Sequence, residues 1–185
     1  METDYLVSRQ VAEEGAAILQ LTYPQAQCEL HFSSAFQLLV ATVLSAQTTD
    51  ERVNTVTPDL FSRWSTPAEL AGADLSELED VLRPLGMFRR RADMLKRMGD
   101  QLVYEFSGEV PGTREELVNL AGVGRKTANV VLGNWFGAQE ITVDTHVGRV
   151  TTRLGWTNGR AVDAALPRTD LPRPPHLPRS QTPVR

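Results

Sequence analysis

ELVNLAGVGRKTANVVLGNWFGAQEITVDTHVGRVTTR, residues 116–153, is the stretch of sequence that decides the fold of this chain. It opens on the end of a helix, because leucines recur at helical spacing after the capping-box pair Thr113 and Glu116. Residues 121–124, AGVG, then make a tight hairpin, since two glycines allow a sharp turn with backbone N–H groups facing outward. The stretch therefore predicts two helices joined by a glycine turn.

The second helix is expected to begin at Arg125 and to end at Gly137. Its apolar face consists of Ala128, Val131, Leu132 and Trp135. Arg125 and Lys126 put two cations where the helix macrodipole is positive, and each such placement costs roughly 0.3–1 kcal/mol. Because sequence rules that fail locally tend to fail at functional sites, this helix start is a candidate site.

Two compatible interpretations explain cations at this helix start. In the first, a phosphate group binds the exposed N–H groups of the hairpin and helix, with Arg125 assisting. In the second, Lys126 loses its proton, because the helix terminus and partial burial favour a neutral amine, which is a nucleophile. Considered in isolation, Lys126 is more simply interpreted as a surface lysine, since most lysines on helices are exposed.

The string LAGVGRKTANVV, followed after a turn by VDTH, resembles the helix–hairpin–helix DNA glycosylases and most closely endonuclease III. The resemblance runs from about Leu30 to about Gly155. In that family the motif lysine attacks the sugar C1′ of a damaged nucleotide, and an aspartate downstream assists. The matching positions in this sequence are Lys126 and Asp144.

The resemblance implies a bifunctional DNA glycosylase and abasic-site (AP) lyase of base excision repair, which removes oxidised pyrimidines from double-stranded DNA. Attack by Lys126 on C1′ expels the base, forms a Schiff base and leads to β-elimination of the 3′ phosphate. Relatives that remove adenine lack lysine here, so Lys126 favours the class that also cuts the strand. Two alternatives remain open: an inactive, truncated helix–hairpin–helix DNA-binding protein and a monofunctional mismatch glycosylase.

Further DNA contacts are implied by the same resemblance. Gln47 matches a glutamine that enters the gap left when the target nucleotide rotates out of the base stack. Met87 matches an apolar wedge in a turn, although a buried methionine that begins a helix is an equally good interpretation. The hairpin residues expected to bind DNA are Gly122, Val123, Gly124 and Arg125.

Asp144 also has a structural interpretation, because Asp144 and Thr145 fit the N-cap of the helix VDTHVGRVTTRL. The two roles are compatible, since a capping carboxylate is held rigidly and stays ionised. In the family interpretation this carboxylate assists deprotonation of the nucleophile or stabilises cationic character at the sugar. His146 is expected to be a core or capping residue.

The rest of the chain predicts an all-α protein, because no segment shows the period-2 alternation of a strand over a useful length. In the first helix Val7, Val11 and Ile18 share one side. The resemblance implies the helical helix–hairpin–helix glycosylase fold with an incomplete second lobe. The expected helices are residues 5–21, residues 35–47, a segment from Thr49 or Asp50 through Asn54, residues 68–71, a segment after Ser76, and residues 87–106.

Several helix boundaries are predicted from capping residues and prolines. Ser33 or Ser34 caps the second helix, which is too hydrophobic on all sides to be anything but core. Pro58 is expected to interrupt or end the helix that contains it. Ser76 and Glu79 form a capping box.

The net charge of −4 has the wrong sign for a bulk electrostatic DNA binder, so a DNA contact must come from a local patch. A dense basic cluster lies in the helix predicted over residues 87–106. Such a cluster is most often a solvated face, but here it is also a candidate phosphate contact. Its members are Arg89, Arg90, Arg91, Lys96 and Arg97.

Cys28 is the one cysteine of the chain, which excludes a disulfide framework and fits a reducing cytoplasm. The sequence contains neither a transmembrane run nor a signal peptide, and we expect a monomeric bacterial protein associated with the nucleoid. The resemblance implies a [4Fe–4S] cluster on four cysteines near the C-terminus, and such a cluster takes four thiolates. With Cys28 alone, and in the wrong half, the chain supports no cofactor.

The resemblance implies a division of the chain into four parts. Residues 1–27 supply a helix of the second lobe, residues 28–140 form a helical barrel domain with the hairpin, and residues 141–166 are a remnant of the second lobe. Residues 167–185 hold six of the 11 prolines and four arginines against one aspartate, which predicts a disordered or polyproline-like tail. We expect a frameshift or truncation near Ala165, so that the tail is not family sequence.

Overall fold

The computed structural model describes residues 7–139 and 141–157, and within them the protein is helical and contains no strand. The prediction of an all-α fold is confirmed. The predicted tail and the change near Ala165 lie outside the described residues. A 3₁₀ turn covers Arg83–Leu85, and the α-helices are α1 (Arg9–Thr22), α2 (Ala35–Leu44), α3 (Asp50–Arg63), α4 (Pro67–Gly72), α5 (Leu75–Leu82), α6 (Phe88–Phe106), α7 (Arg114–Leu117), α8 (Arg125–Asn134) and α9 (Thr145–Arg153).

The described residues divide into two compact units. The larger unit runs from Glu29 to Ala138 and contains α2 to α8. The smaller unit combines the residues up to Cys28 with those from Gln139 onward, and so contains α1 and α9. None of the described helices is both long enough and apolar enough to cross a membrane.

The core of the larger unit is built around α2, in which every residue from 38 to 44 is buried. Ser34 rather than Ser33 is the cap, because its hydroxyl accepts a hydrogen bond from the Gln37 N–H at 3.1 Å. The prediction that this segment is core is confirmed. The helix ends earlier than expected, at Leu44, and the chain then enters a turn instead of continuing to residue 47.

Pro58 neither interrupts nor ends α3, so the boundary predicted there was wrong. Thr49 caps the helix, which then continues through the proline to Arg63. A proline inside a helix removes one hydrogen bond and costs about 3 kcal/mol. Burial of Leu60 and Trp64 beyond the proline offsets that cost, because both side chains pack in the core only if the helix continues.

The N-terminus of α5 also differs from the prediction. Asp74 is the N-cap residue, and its carboxylate accepts hydrogen bonds from the backbone N–H groups of Ser76 and Glu77. Ser76 and Glu79 therefore do not form a capping box. An aspartate two residues earlier captures the free N–H groups first, and the Ser76 hydroxyl donates to it as well.

The basic cluster of α6 is divided between the surface and the interior, so the two interpretations of it, a solvated face or a phosphate contact, are wrong for Arg91 and Lys96. Arg89, Arg90 and Arg97 are exposed. Arg91 is buried, and the half-buried Lys96 donates hydrogen bonds to the carbonyl oxygens at the end of α4. Two of the five cations therefore stabilise the fold.

In the smaller unit, α1 begins at Arg9 because Ser8 is its N-cap, whereas the prediction placed the start at residue 5. The helix packs through Gly15, where an added Cβ would lie 2.8 Å from the Trp156 ring. Ile18 is 62% exposed, so the face chosen from the aliphatic spacing is not the one that packs. A small residue that admits a tryptophan ring decides the orientation of this helix instead.

A first prediction concerns a close backbone contact between α6 and α4. A Cβ added at Gly99 of α6 would lie 2.9 Å from the backbone nitrogen of Ala71 in α4. We expect Gly99→Ala to lower the free energy of unfolding by about 1–3 kcal/mol, because backbone atoms cannot move aside as a side chain can. Gly72→Ala is the matched control, since no atom lies within 4 Å of its added Cβ. Chemical denaturation measures both, and equal stabilities for the two variants would contradict the prediction.

Candidate functional site

The glycine hairpin is held in place by a side chain from α6. The Gln101 amide donates a hydrogen bond to the Asn119 carbonyl at 3.0 Å and accepts one from the Ala121 N–H at 2.7 Å. The helix before the hairpin ends at Leu117, whereas the sequence predicted that it continues to Leu120, the residue before the hairpin, and Thr113 caps it as predicted. The hairpin therefore depends on a tertiary contact as well as on its own glycines.

Gly122 provides the backbone conformation that turns the hairpin. Its φ of +79° lies in the left-handed region, and an added Cβ would lie only 2.3 Å from the Met94 sulfur. Val123 is buried and its N–H donates to the Leu120 carbonyl, so its side chain anchors the hairpin in the core. The DNA contact predicted for Val123 stays a prediction, and it concerns the main chain of that residue.

The start of α8 presents the two cations to solvent. Gly124 is the N-cap residue and provides no side chain to the N–H groups of the first turn. Arg125 and Lys126, the first two residues of the helix, are both exposed. The expectation of a partly buried Lys126 amine is therefore wrong for the protein alone. The arrangement leaves an uncapped helix N-terminus beside two cations, which suits an anion such as a phosphate.

Asp50, the first residue of α3, is a charged neighbour of Lys126 that the sequence analysis did not assign to the site. Burial raises the pKa of the Asp50 carboxyl, the negative charge of Glu29 raises it further, and the positive charge of Lys126 acts in the opposite direction. No sequence signal links residues 50 and 126. The site therefore contains a carboxylate that only the tertiary structure reveals.

Gln47 and Met87 both lie exposed on turns with left-handed backbone. Gln47 has a φ of +64° in the turn after α2, and Met87 has a φ of +46° immediately before α6. Met87 is 52% exposed, so the alternative of a buried methionine at a helix start was wrong. The family interpretation, an apolar wedge in a turn, stays a prediction for Met87.

Arg91 connects these two turns. Its guanidinium donates hydrogen bonds to the carbonyl oxygens of Leu44 at 2.6 Å, Ala46 at 2.9 Å and Gly86 at 3.0 Å. Burial lowers the pKa of Arg91, but an arginine remains a cation in proteins. The sequence carried a signal for this burial, since Arg91 shares helical spacing with Leu95, Met98 and Leu102 on the buried face of α6.

Asp144 caps α9, as the structural interpretation expected. Its carboxylate accepts a hydrogen bond from the Val147 N–H at 2.7 Å. His146 is exposed and lies 2.8 Å from the Arg149 guanidinium, so it is neither a core nor a capping histidine. Asp144 belongs to the smaller unit and Lys126 to the larger one. The catalytic role of each remains a prediction.

An iron–sulfur cluster does not fit the residues of this chain. Cys28 is the single thiol, and a [4Fe–4S] cluster takes four. Among residues 7–139 and 141–157, no group of three or more His, Cys, Asp or Glu side chains converges to hold a metal ion.

Comparison with known proteins decides the family. The pattern of the HhH-GPD superfamily base excision DNA repair protein family matches residues 40–168. The chain belongs to this family. The resemblance to helix–hairpin–helix DNA glycosylases is confirmed, and with it the expected class of function, base excision repair of DNA.

The similar proteins and structures include several endonuclease III enzymes. Endonuclease III of Synechocystis sp. is 48% identical over 164 residues, which are 88% of this chain and 74% of that protein. Endonuclease III of Bacillus subtilis is 46% identical over 72% of this chain and 61% of its own length. The solved structure of a trapped endonuclease III–DNA covalent intermediate matches with a TM-score of 0.79 and 39% identity, covering 88% of this chain and 80% of that one.

A second prediction tests the hairpin glycines. We expect Gly122→Ala to lower the free energy of unfolding by at least about 1–2 kcal/mol, because alanine disfavours positive φ and its Cβ overlaps Met94. Gly124→Ala is the matched control, since its φ is −95° and no atom lies within 4 Å of an added Cβ. Adding Met94→Ala to Gly122→Ala should recover only the part of the loss that is due to overlap. Full recovery would show that backbone strain at Gly122 contributes nothing.

Proposed function

We propose that this chain is a bifunctional DNA glycosylase and AP lyase that removes oxidised pyrimidines from double-stranded DNA and cuts the strand by β-elimination. The observation that carries the proposal is an exposed lysine in the first turn of a helix that follows a glycine hairpin and has no side-chain cap. Membership of a base excision repair family and the likeness to endonuclease III support it.

The first step is binding of the DNA backbone at the hairpin. Backbone N–H groups at a helix N-terminus attract phosphate through hydrogen bonds and through the macrodipole. Gly122 and Gly124 are exposed and have no side chains, so a phosphate can approach their main chain closely. Arg125 adds a permanent positive charge next to them. This local patch binds DNA although the chain as a whole carries a net charge of −4.

The second step is extrusion of the damaged nucleotide, because its C1′ cannot be reached within the base stack. Gln47 and Met87 are the side chains we assign to the gap that extrusion leaves. Both project from turns of the same unit as Lys126 and are exposed. Gln47 brings hydrogen-bonding groups for the unpaired base, and Met87 brings a flexible apolar side chain that stacks between bases.

The chemical steps centre on the Lys126 nitrogen. The neutral amine attacks C1′, the bond from C1′ to the base breaks, and the base leaves with the electron pair and takes up a proton. Opening of the sugar ring gives the Schiff base between Lys126 and C1′. Loss of a C2′ proton then breaks the C3′–O bond, which releases the 3′ phosphate, and water finally frees the lysine. We assign to Asp144 the stabilisation of positive charge at the sugar.

Borohydride trapping with abasic duplex DNA provides the third prediction. Borohydride reduces a Schiff base to a stable amine, so the wild-type protein should become covalently joined to the DNA. We expect Lys126→Ala to form no adduct, because alanine has no amine, while binding to the same DNA is retained. Arg97→Ala, which removes an exposed cation outside the hairpin, should trap as the wild type does.

The outcomes of this experiment separate the proposed enzyme from its rivals. A wild-type protein that binds abasic DNA without trapping is a helix–hairpin–helix binding protein and not a lyase. Base release from a mismatch substrate without an adduct identifies a monofunctional glycosylase. An adduct that persists in Lys126→Ala assigns the nucleophile to another amine.

A fourth prediction separates the two roles of the Asp144 side chain, its negative charge and its capping of α9. Asparagine caps helices about as well as aspartate, whereas alanine costs about 1 kcal/mol. We expect Asp144→Asn to retain stability but to lower the rate of strand cleavage by about 100-fold or more, because the carboxylate charge is lost. Asp144→Ala should lose both stability and rate. A normal rate in Asp144→Asn, with loss only in Asp144→Ala, would show that Asp144 serves as a cap alone.

Cofactor use and cellular location belong to the same proposal. We propose that this chain holds no [4Fe–4S] cluster, since one cysteine does not bind a four-thiolate cluster. We further propose a monomer in the bacterial cytoplasm that associates with the nucleoid through damaged DNA.

A further inference from the structure

Two turns of the larger unit hold exposed residues in a conformation that costs free energy. Gln47, Met87 and Ser107 are the residues other than glycine with positive φ in the described part of the chain. Ser107 ends α6, where a left-handed residue is common. Neither Gln47 nor Met87 ends a helix in this way. A left-handed backbone at such a residue costs of order 1–3 kcal/mol and persists only where the surrounding structure holds it.

One buried side chain fixes both residues. Arg91 is 4% exposed, and two of its hydrogen bonds go to the carbonyl oxygens of Ala46 and Gly86. Ala46 directly precedes Gln47, and Gly86 directly precedes Met87. The carbonyl of one residue lies in the same rigid peptide plane as the N–H of the next. A hydrogen bond that fixes this plane therefore restricts φ at Gln47 and at Met87.

The geometry of arginine suits this double contact. A guanidinium has five N–H donors in a planar fork, so one side chain can reach carbonyls on two separate turns. The third contact is to the carbonyl of Leu44, the last residue of α2, and Ala46 follows two residues later. The guanidinium therefore lies at the C-terminal end of α2, which is the negative end of the helix dipole. Carbonyl dipoles at a helix end stabilise the cation without a carboxylate partner.

We propose that Arg91 is a positioning residue for DNA, which sets the spacing and orientation of the Gln47 and Met87 turns so that both side chains enter the gap in the duplex together. The inference rests on the proposed function, in which these two side chains fill that gap. Arg91 itself does not contact DNA, because it is buried and its guanidinium bonds to protein carbonyls.

Lys96 provides a control within the same helix. Its ammonium donates hydrogen bonds to the carbonyl oxygens of Ala71 at 2.8 Å and Ala73 at 2.7 Å, at the C-terminal end of α4. Like Arg91, it is a cation of α6 that binds the end of another helix. Neither Ala71 nor Ala73 adjoins a residue with strained backbone. Lys96→Met therefore removes a comparable stabilising contact without releasing either turn.

The fifth prediction is a change in DNA binding by Arg91→Lys, a variant that keeps the charge but lacks the fork. The ligand is a duplex with a tetrahydrofuran abasic-site analogue, which requires no chemistry, and the reference is the undamaged duplex. We expect Arg91→Lys to lower the preference for the abasic duplex by about ten- to hundredfold, because a misplacement of about 1 Å has effects of that size. We expect Lys96→Met to leave this preference unchanged, measured well below the unfolding temperature of each variant.

A double-mutant cycle separates positioning from general destabilisation. In the Gln47→Ala/Met87→Ala protein no side chain remains to be positioned, so adding Arg91→Lys should have little further effect on the preference. An equal loss in both backgrounds, an equal loss in Lys96→Met, or no loss in Arg91→Lys would each overturn the inference. The proposed function is tested by a different measurement, borohydride trapping of the wild-type protein on abasic DNA. A wild type that prefers the abasic duplex but forms no adduct contradicts the proposed function and leaves the inference about Arg91 intact.

Discussion

The larger unit depends on two cations of one helix, one buried and one half-buried, that bind the ends of two other helices. Arg91 and Lys96, five residues apart in α6, donate hydrogen bonds to the C-terminal carbonyls of α2 and α4 respectively. Desolvation of a cation costs several kcal/mol, and carbonyl groups at the negative end of a helix offset that cost. Apolar packing has no direction, whereas these bonds fix three helices in a defined register.

The same helix also contacts the three loops of the larger unit that we assign to DNA. Arg91 contacts the turns that carry Gln47 and Met87, and Gln101 contacts the hairpin through Asn119 and Ala121. The hairpin packs so closely on α6 that a Cβ at its first glycine would overlap Met94. Loops are more variable than helices, and functional groups are placed more precisely when rigid elements support them. One rigid helix therefore sets the relative positions of three loops.

Sequence reasoning succeeded where a signal is contained within a few residues. The caps at Ser34 and Thr113 depend on hydrogen bonds within one turn of chain, and the positive φ that turns the hairpin belongs to Gly122 alone. The predictions were wrong where residues far apart in the sequence determine the local structure. Burial beyond Pro58 keeps α3 helical, and the carbonyls that bind Arg91 come from residues more than 40 positions away or from the preceding turn. Charge type alone indicated a solvated face for α6, although helical spacing placed Arg91 in line with the core.

The exposure of Lys126 changes where its reactivity must come from. Burial within the protein was expected to favour a neutral amine, but the free protein presents this lysine to solvent, with the Asp50 carboxylate near enough to interact with it. Water exclusion by bound DNA strengthens electrostatic effects within the site. In the proposed enzyme, the DNA therefore supplies the water exclusion that the fold does not, so the Lys126 amine enters a closed site only when an extruded nucleotide is bound.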